Sequence, residues 1–181
     1  TPTTEIYPLS LHDALPISVL RGLPQGVTDG LTMIELCLGE KSQSRDGQEE
    51  WAAPPESDPY VGREGYEMLP GVFVGNVLGV YYPGQAKLRI NAYVCRQEAM
   101  APIPVGFYLR MCMLMTLVHE VAHHYDFSSR IARGRWLADA QDKVEIYAER
   151  VQHDWFSEYV APCLRRDYPD QWQAFNRWVR E

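Results

Sequence analysis

The sequence predicts a single α+β domain in which a small antiparallel sheet packs on two helices. Three features support this prediction: alternating apolar and polar residues around a Pro-Gly turn, a long apolar segment that ends in two histidines, and a later helical segment with two glutamates. The chain has 181 residues, of which 46% are hydrophobic and 23% charged, so it can bury a substantial core.

The acidic balance of the chain limits its partners. Its formal net charge is −7. Binding to phosphate backbones or to an anionic membrane surface needs a basic face. We therefore expect neither a nucleic-acid partner nor a membrane partner.

Residues 1–18 are expected to be a non-native or disordered segment. They resemble a translated sequencing adapter, and they lack the basic and long apolar regions of a signal peptide. The chain also begins without Met. We therefore expect the native N-terminus to be missing, and with it any targeting segment.

Residues 19–68 are predicted to form an N-terminal region of strand and loop. The apolar run at residues 31–38 fits a strand or a turn of helix. Residues 39–60 combine Pro, Gly, Ser and charged side chains, which bury too little apolar surface to order themselves. They are predicted to be a flexible linker.

Residues 69–181 are predicted to form the functional domain, which begins with a hairpin. Residues 71–80 and 87–94 are the two strand candidates. In the second, Leu88 and Ile90 alternate with Arg89 and Asn91, so we expect the first pair to point inward and the second outward. The four residues Tyr82 to Gln85 have Pro and Gly where a type II turn needs them.

Three helical segments follow the hairpin. The first opens after Pro104 and runs through an apolar stretch at residues 105–118, which is too short, and too marked by Arg110, for the roughly 20 residues of a membrane span. The second covers residues 140–159, with a core stripe at Val144, Ala148, Val151 and Trp155. Pro162 is predicted to break the chain before a last helix at residues 163–178.

The first helix carries the pattern His119-Glu120-x-x-His123. Residues at i and i+4 share a helix face, so both imidazoles can meet one Zn²⁺ at about 2.0–2.1 Å. Glu120 is rotated by about 100° from His119, which places it beside the metal, where it can take a proton from a water that the metal activates. The alternative is a polar helix end with two hydrogen-bonded histidines.

The second helix carries a matching pair, Glu145 and Glu149, also at i and i+4. Glu145 can be the third zinc ligand. Glu149 can accept a hydrogen bond from the outer N–H of a ligating His, which fixes the tautomer of the ring. The alternative for this pair is a solvated helix face.

The layout H-E-x-x-H followed by E-x-x-x-E resembles the gluzincins, the thermolysin-like zinc metallopeptidases, and is closest to their small, minimal-domain members. The resemblance covers residues 69–155. It implies a zincin-like fold, with His119, His123 and Glu145 as zinc ligands and Glu120 as general base. Glu149 stands where the family usually has Asp. The implied activity is hydrolysis of a peptide or protein substrate.

Several alternatives stay open at this point. Asp139 is the runner-up for the third ligand. The chain could also be a catalytically inactive zincin-like binding module, or a structural zinc protein whose site is closed by a fourth ligand, for which His124 is the candidate. Tyr125 and Tyr147 are candidates for stabilising the oxyanion.

The cysteines do not indicate a second metal site. Cys37, Cys95, Cys112 and Cys163 are widely spaced and contain no C-x-x-C pair. A chain of this size does not need disulfides. Free thiols in a reducing compartment are therefore expected, and the predicted location is the cytoplasm.

Overall fold

The described part of the chain has the predicted α+β composition. The computed structural model describes residues 14–37, 40–43, 49–52, 78–97, 103–131 and 141–180. The elements in chain order are α1 (Ala14–Gly22), β1 (Met33–Cys37), β2 (Glu40–Gln43), β3 (Glu49–Ala52), β4 (Gly79–Tyr82), β5 (Lys87–Asn91), α2 (Ala92–Gln97), α3 (Val105–Ile131), α4 (Gln141–Trp155), α5 (Ala161–Asp167) and α6 (Pro169–Trp178).

The sheet before the long helix has the order β1-β5-β4. The predicted antiparallel hairpin is confirmed as β4 and β5, while β1 lies parallel to β5 on the other side. The run at residues 31–38 is therefore a strand. Because parallel strands are joined by a long connection, local sequence patterns do not predict that β1 pairs with β5.

The hairpin differs from the prediction at two places, the turn and the end of the second strand. Residues 71–77 of the first candidate strand lie outside the described residues. The connection is a 3-10 turn at Pro83–Gln85, closed by Ala86 at φ 47° and ψ 47°, so Ala86 and not Gly84 takes the left-handed conformation. The second strand ends at Asn91, because Ala92–Gln97 turns directly into a helix.

Strand β5 is buried on both faces, contrary to the predicted alternation. Arg89 and Asn91 are as buried as Leu88 and Ile90. Since β5 is the central strand, its polar side chains are covered too and must find partners. Arg89 does so by donating from Nε to Glu35 Oε2 on β1 at 2.8 Å.

The predicted flexible linker at residues 39–60 contains a hairpin, so that prediction is wrong for the part that is described. β2 and β3 pair antiparallel, with Glu40 opposite Ala52 and Gln43 opposite Glu49. The pairing is made by backbone groups and needs no apolar side chain. A composition argument based on burial therefore missed it.

Helix α3 is the centre of the core. It is 27 residues long and buries one side chain after another against the sheet and α4, among them Leu114, Leu117, Val118, Val121 and Ala122. The apolar helix is longer than predicted, and by length and composition alone residues 105–129 could cross a membrane. Within the protein, 67% of an apolar 18-residue stretch of this helix is buried, which is typical of a core helix.

Helix α4 has the predicted core stripe, with Val144, Ala148 and Trp155 buried and Val151 half-buried. Pro162 does not break the chain as predicted. A π turn at Phe156–Val160 carries the helix into α5. Proline has no N–H and clashes with the carbonyl four residues before it, and the wider turn accommodates both defects.

The first helix begins inside the segment that was predicted to be non-native or disordered. Residues 14–18, inside the segment predicted to be non-native or disordered, form the start of α1, and Val19 is fully buried. The four cysteines form no disulfide with one another, as expected.

Gly79 is expected to be essential for the contact between β4 and α3. A Cβ at this position would lie 2.5 Å from Thr116 Cγ2 and 2.6 Å from Glu120 Oε1, so Gly79→Ala must push the strand off the helix. We expect a loss of about 1–3 kcal/mol in the free energy of unfolding. Gly84→Ala is the control, because a Cβ there meets nothing within 4 Å. Equal stability of the two variants in chemical denaturation would contradict the close contact.

Candidate metal centre

Helices α3 and α4 bring three predicted ligands together. The candidate ligand atoms of His119, His123 and Glu145 all lie within 4.8 Å of one another. The Nε2 atoms of the two histidines are 3.0 Å apart. Glu145 Oε2 lies 3.4 Å from Nε2 of His119 and 3.5 Å from Nε2 of His123.

Two of these three separations fit a tetrahedral ion. Zinc bonds of 2.0–2.1 Å at tetrahedral angles place the ligand atoms about 3.3–3.4 Å apart. Both distances to Glu145 Oε2, 3.4 and 3.5 Å, are close to that value. The 3.0 Å between the two Nε2 atoms is shorter and matches the roughly 2.9–3.0 Å of an octahedral ion with the same bond lengths. The types of the donor atoms, rather than the distances, therefore favour zinc. Two imidazoles and one carboxylate are also a donor set that Zn²⁺ takes in catalytic sites.

Gln152 orients the His119 ring. Its Oε1 lies 3.1 Å from His119 Nδ1. An amide oxygen only accepts hydrogen bonds, so Nδ1 carries the proton and Nε2 presents its lone pair toward His123 and Glu145. This is the arrangement that ligating histidines use to fix their tautomer.

The structure does not place Glu149 in the role predicted for it. Its side chain is exposed, and Gln152 occupies the outer nitrogen of His119 instead. Helix geometry explains the exchange. At about 100° per residue, Gln152 lies about 20° nearer than Glu145 to the buried stripe of α4, whereas Glu149 lies about 40° further from it. Gln152, seven residues after Glu145, was therefore the better candidate for this hydrogen bond.

Glu120 lies beside the cluster without being one of its three members. It is 5% exposed and packs against β4, where it accepts a hydrogen bond from the backbone N–H of Tyr81. Burial raises the pKa of Glu120 above its ordinary value, although the two histidines oppose the shift. A buried carboxylate next to the ligands is placed to exchange a proton with a group held there.

The cluster has its own electrostatic balance. The adjacent imidazoles of His119 and His123 hold the pKa of Glu145 far below its usual range, despite partial burial. Burial by itself would lower the pKa of His119, but the carboxylates of Glu145 and Glu120 outweigh it and raise that pKa. The site therefore favours a positive charge between the three side chains.

The cluster is open on one side. The side chain of Glu145 is 46% exposed. His124, the candidate for a fourth ligand, is 2% exposed and directed elsewhere, to the hydroxyl of Tyr81 and the carbonyl of Asp29. In the described ranges the group has three members, and Asp139 lies outside them. The described ligands therefore leave a fourth position available.

The two candidate oxyanion donors are not directed at the cluster. Tyr125 and Tyr147 each follow a ligand, His123 and Glu145, by two residues, which turns them about 200° around the helix. Tyr125 is 38% exposed. Helix geometry therefore gives no support to either tyrosine as the oxyanion donor.

Comparison with protein-family models, with curated proteins and with solved structures gave no match.

We expect one zinc ion per chain. The three ligand atoms are already spaced for it, so purified protein should contain zinc in a 1:1 ratio, or take it up when zinc is added after a chelator. Metal analysis by mass spectrometry measures this. His123→Ala, which removes one of the three ligands, should reduce the content to near zero. Protein that is purified without metal and takes up no added zinc would contradict the assignment of these three residues as ligands.

Gln152 and Glu149 should differ in their effect on zinc affinity. Gln152→Ala removes the partner of the His119 Nδ1–H and should weaken zinc binding by about 10–100-fold. Glu149→Ala changes an exposed side chain on the same helix and serves as the matched control. Competition with a chromogenic chelator gives both dissociation constants. If Glu149→Ala loses more zinc affinity than Gln152→Ala, Glu149 and not Gln152 orients the ligating histidine.

Proposed function

We propose that this protein is a zinc-dependent hydrolase, and specifically a metallopeptidase of the gluzincin type. The observation that carries the proposal is the pairing of an open three-ligand cluster with a buried carboxylate that is not a ligand. His119, His123 and Glu145 supply the cluster, and Glu120 supplies the carboxylate. The order of these residues along two helices supports a zincin-like fold.

The open side of the cluster favours catalysis over a structural role. Structural zinc sites are closed by four protein ligands, while catalytic sites keep one position for water and substrate. Here the described residues provide three, and His124 is held by Tyr81 and Asp29. A purely structural site also has no need of a buried acid such as Glu120 beside it.

In the proposed mechanism, Glu120 acts as the base and the protein holds the reactants in place. Bound Zn²⁺ supplies Lewis acidity, which lowers the pKa of water toward about 7 and polarises a carbonyl. Glu120 takes a proton from the attacking water and passes it to the leaving amine. Burial raises its pKa, which brings the carboxyl nearer to the range in which a general base works.

The edge of the sheet supports a peptide as the substrate. The N–H of Asn91 donates to the carbonyl of Leu78 at 2.8 Å, so this opposed pair is hydrogen-bonded. Pairs alternate along an antiparallel ladder, and the backbone groups of Gly79 and Tyr81 therefore point away from β5. Among the described residues no strand pairs with this side of β4.

An extended peptide would pair with backbone groups of this edge other than the Tyr81 N–H, which already donates to Glu120. Main-chain hydrogen bonds to an edge strand give affinity for any sequence. Gly79 also lies close enough to Glu120 that a Cβ would be 2.6 Å from Oε1. A chain laid along β4 would thus pass the proposed base.

Glu120→Gln separates the base from the metal site. Gln keeps the size of the side chain and an oxygen for the Tyr81 N–H, but it cannot take a proton. We expect unchanged zinc content and thermal stability together with loss of hydrolysis by at least about 100-fold. The assay follows cleavage of an unfolded protein, such as casein, by mass spectrometry of the products.

Glu158→Gln, on the exposed side of the π turn, is the control and should behave as the unchanged protein. Hydrolysis retained by Glu120→Gln would overturn the mechanism. Zinc-loaded protein that cleaves no peptide at all would instead favour a binding module.

A further inference from the structure

His124 is a buried polar side chain that the ligand cluster does not use. It is 2% exposed, although it directly follows the ligand His123. Nδ1 lies 3.1 Å from the hydroxyl of Tyr81 on β4, and Nε2 lies 2.9 Å from the carbonyl oxygen of Asp29 in the segment between α1 and β1. One ring thus links three parts of the fold.

The partners of His124 fix the direction of both hydrogen bonds. A carbonyl oxygen only accepts, so Nε2 must carry a proton and donate to Asp29. In the neutral ring Nδ1 then has a lone pair and accepts from the Tyr81 hydroxyl. The imidazole is therefore an oriented acceptor for one particular phenol.

Tyr81 connects this ring to the proposed base. Its aromatic ring packs edge-on against His124 and Phe127, with centroids 5.4 and 5.8 Å away. Its backbone N–H, on the side of β4 turned away from β5, donates to the carboxylate of Glu120. Side chain and backbone of one residue thus contact His124 and Glu120.

The edge position of β4 makes such a connection useful. The strand has four residues and, in the described part of the sheet, is paired on one side by β5. An edge strand held on one side slides and frays more easily than a central one. A shift of β4 would move the Tyr81 N–H relative to Glu120, which α3 holds separately.

We propose that His124 is a positioning residue which, through the side chain of Tyr81, fixes β4 and thereby the orientation of the Glu120 carboxylate. The inference deepens the proposed hydrolase function and rests on it for the role of Glu120. The physical connection itself, from His124 through Tyr81 to Glu120, does not need the activity. It can be measured in the protein without substrate.

Tyr81→Phe tests the link with the smallest change. Phe keeps the ring packing and the backbone N–H and removes the hydroxyl that reaches His124. We expect hydrogen exchange at the residue 81 amide, followed by NMR, to accelerate by about tenfold or more because β4 opens more often. The zinc dissociation constant should not change, because no ligand is touched.

In the active protein the same variant should lower kcat by about 10–100-fold, since a base displaced by a fraction of an ångström loses alignment. KM should stay the same, because the β4 backbone that would pair with a peptide keeps all its groups. Tyr159→Phe, a tyrosine on the π turn, is the matched control and should match the unchanged protein in each measurement.

Two replacements of His124 distinguish positioning through Tyr81 from simple packing. His124→Asn keeps an oxygen near the place of Nδ1 to accept from Tyr81, while His124→Gln keeps a donor near the place of Nε2 for Asp29. The proposal predicts that Asn retains more of the amide protection at Tyr81, and more of kcat, than Gln does. A packing role alone predicts no such order.

The outcomes are separable from those of the proposed function. If the unchanged protein shows no hydrolysis, the exchange rates of the Tyr81 amide still decide the connection. Unchanged protection in Tyr81→Phe, or a Gln variant better protected than the Asn variant, would overturn the proposal. If His124 variants fail to fold, the comparison of Tyr81→Phe with Tyr159→Phe decides it.

Discussion

The contact between the Glu145 carboxylate and two imidazoles organises this protein. Helix α3 is a buried apolar helix, yet it carries His119, Glu120 and His123 in consecutive turns. Polar groups at that depth are stable only when each has a partner. Helix α4 supplies Glu145 and Gln152 for this purpose, and a positive ion between the three ligand atoms would complete the arrangement.

Two carboxylates at the centre are held in opposite electrostatic states. Burial raises the pKa of Glu120, whereas the adjacent imidazoles lower the pKa of Glu145. Groups whose environments shift their pKa values apart are suited to different tasks. The shift of Glu145 favours its charged form, and the shift of Glu120 favours its neutral form. This difference supports the division into ligand and base.

The surrounding fold keeps this arrangement in register. Gly79 allows β4 to lie directly on Glu120. The strand is also held through Tyr81, whose side chain meets His124 and whose backbone meets Glu120. The edge of the sheet and the polar end of α3 are therefore one unit, and a change in either should be felt at the other.

Sequence reasoning found what depends on local periodicity. The i, i+4 spacing located the histidine pair and Glu145, and the alternating pattern with its turn located the β4–β5 hairpin. It failed where the deciding factor was not local. The β2–β3 hairpin depends on backbone pairing, and the burial of Arg89 depends on a parallel neighbour far away in the chain.

Even within one helix, the sequence prediction chose the wrong partner for His119: Gln152, and not Glu149, contacts its outer nitrogen. Both lie near the face of Glu145, and a carboxylate is the more familiar partner for a ligating histidine. The choice depends on which side of α4 packs on α3, and that is set by the stripe of Val144, Ala148 and Trp155. The stripe was visible in the sequence, so the angle could have been calculated from it.

X-ray absorption at the zinc edge tests the central claim most directly. Protein loaded with one equivalent of zinc should show four nitrogen or oxygen scatterers at about 2.0–2.1 Å and the outer-shell signal of two imidazole rings. Glu145→Ala should lose most of its zinc, while a hydroxamate, which chelates through two oxygens, should raise the number of nearest scatterers from about four to about five. A sulfur shell near 2.3 Å, or a set of four protein ligands that no inhibitor changes, would contradict an open two-histidine, one-glutamate centre.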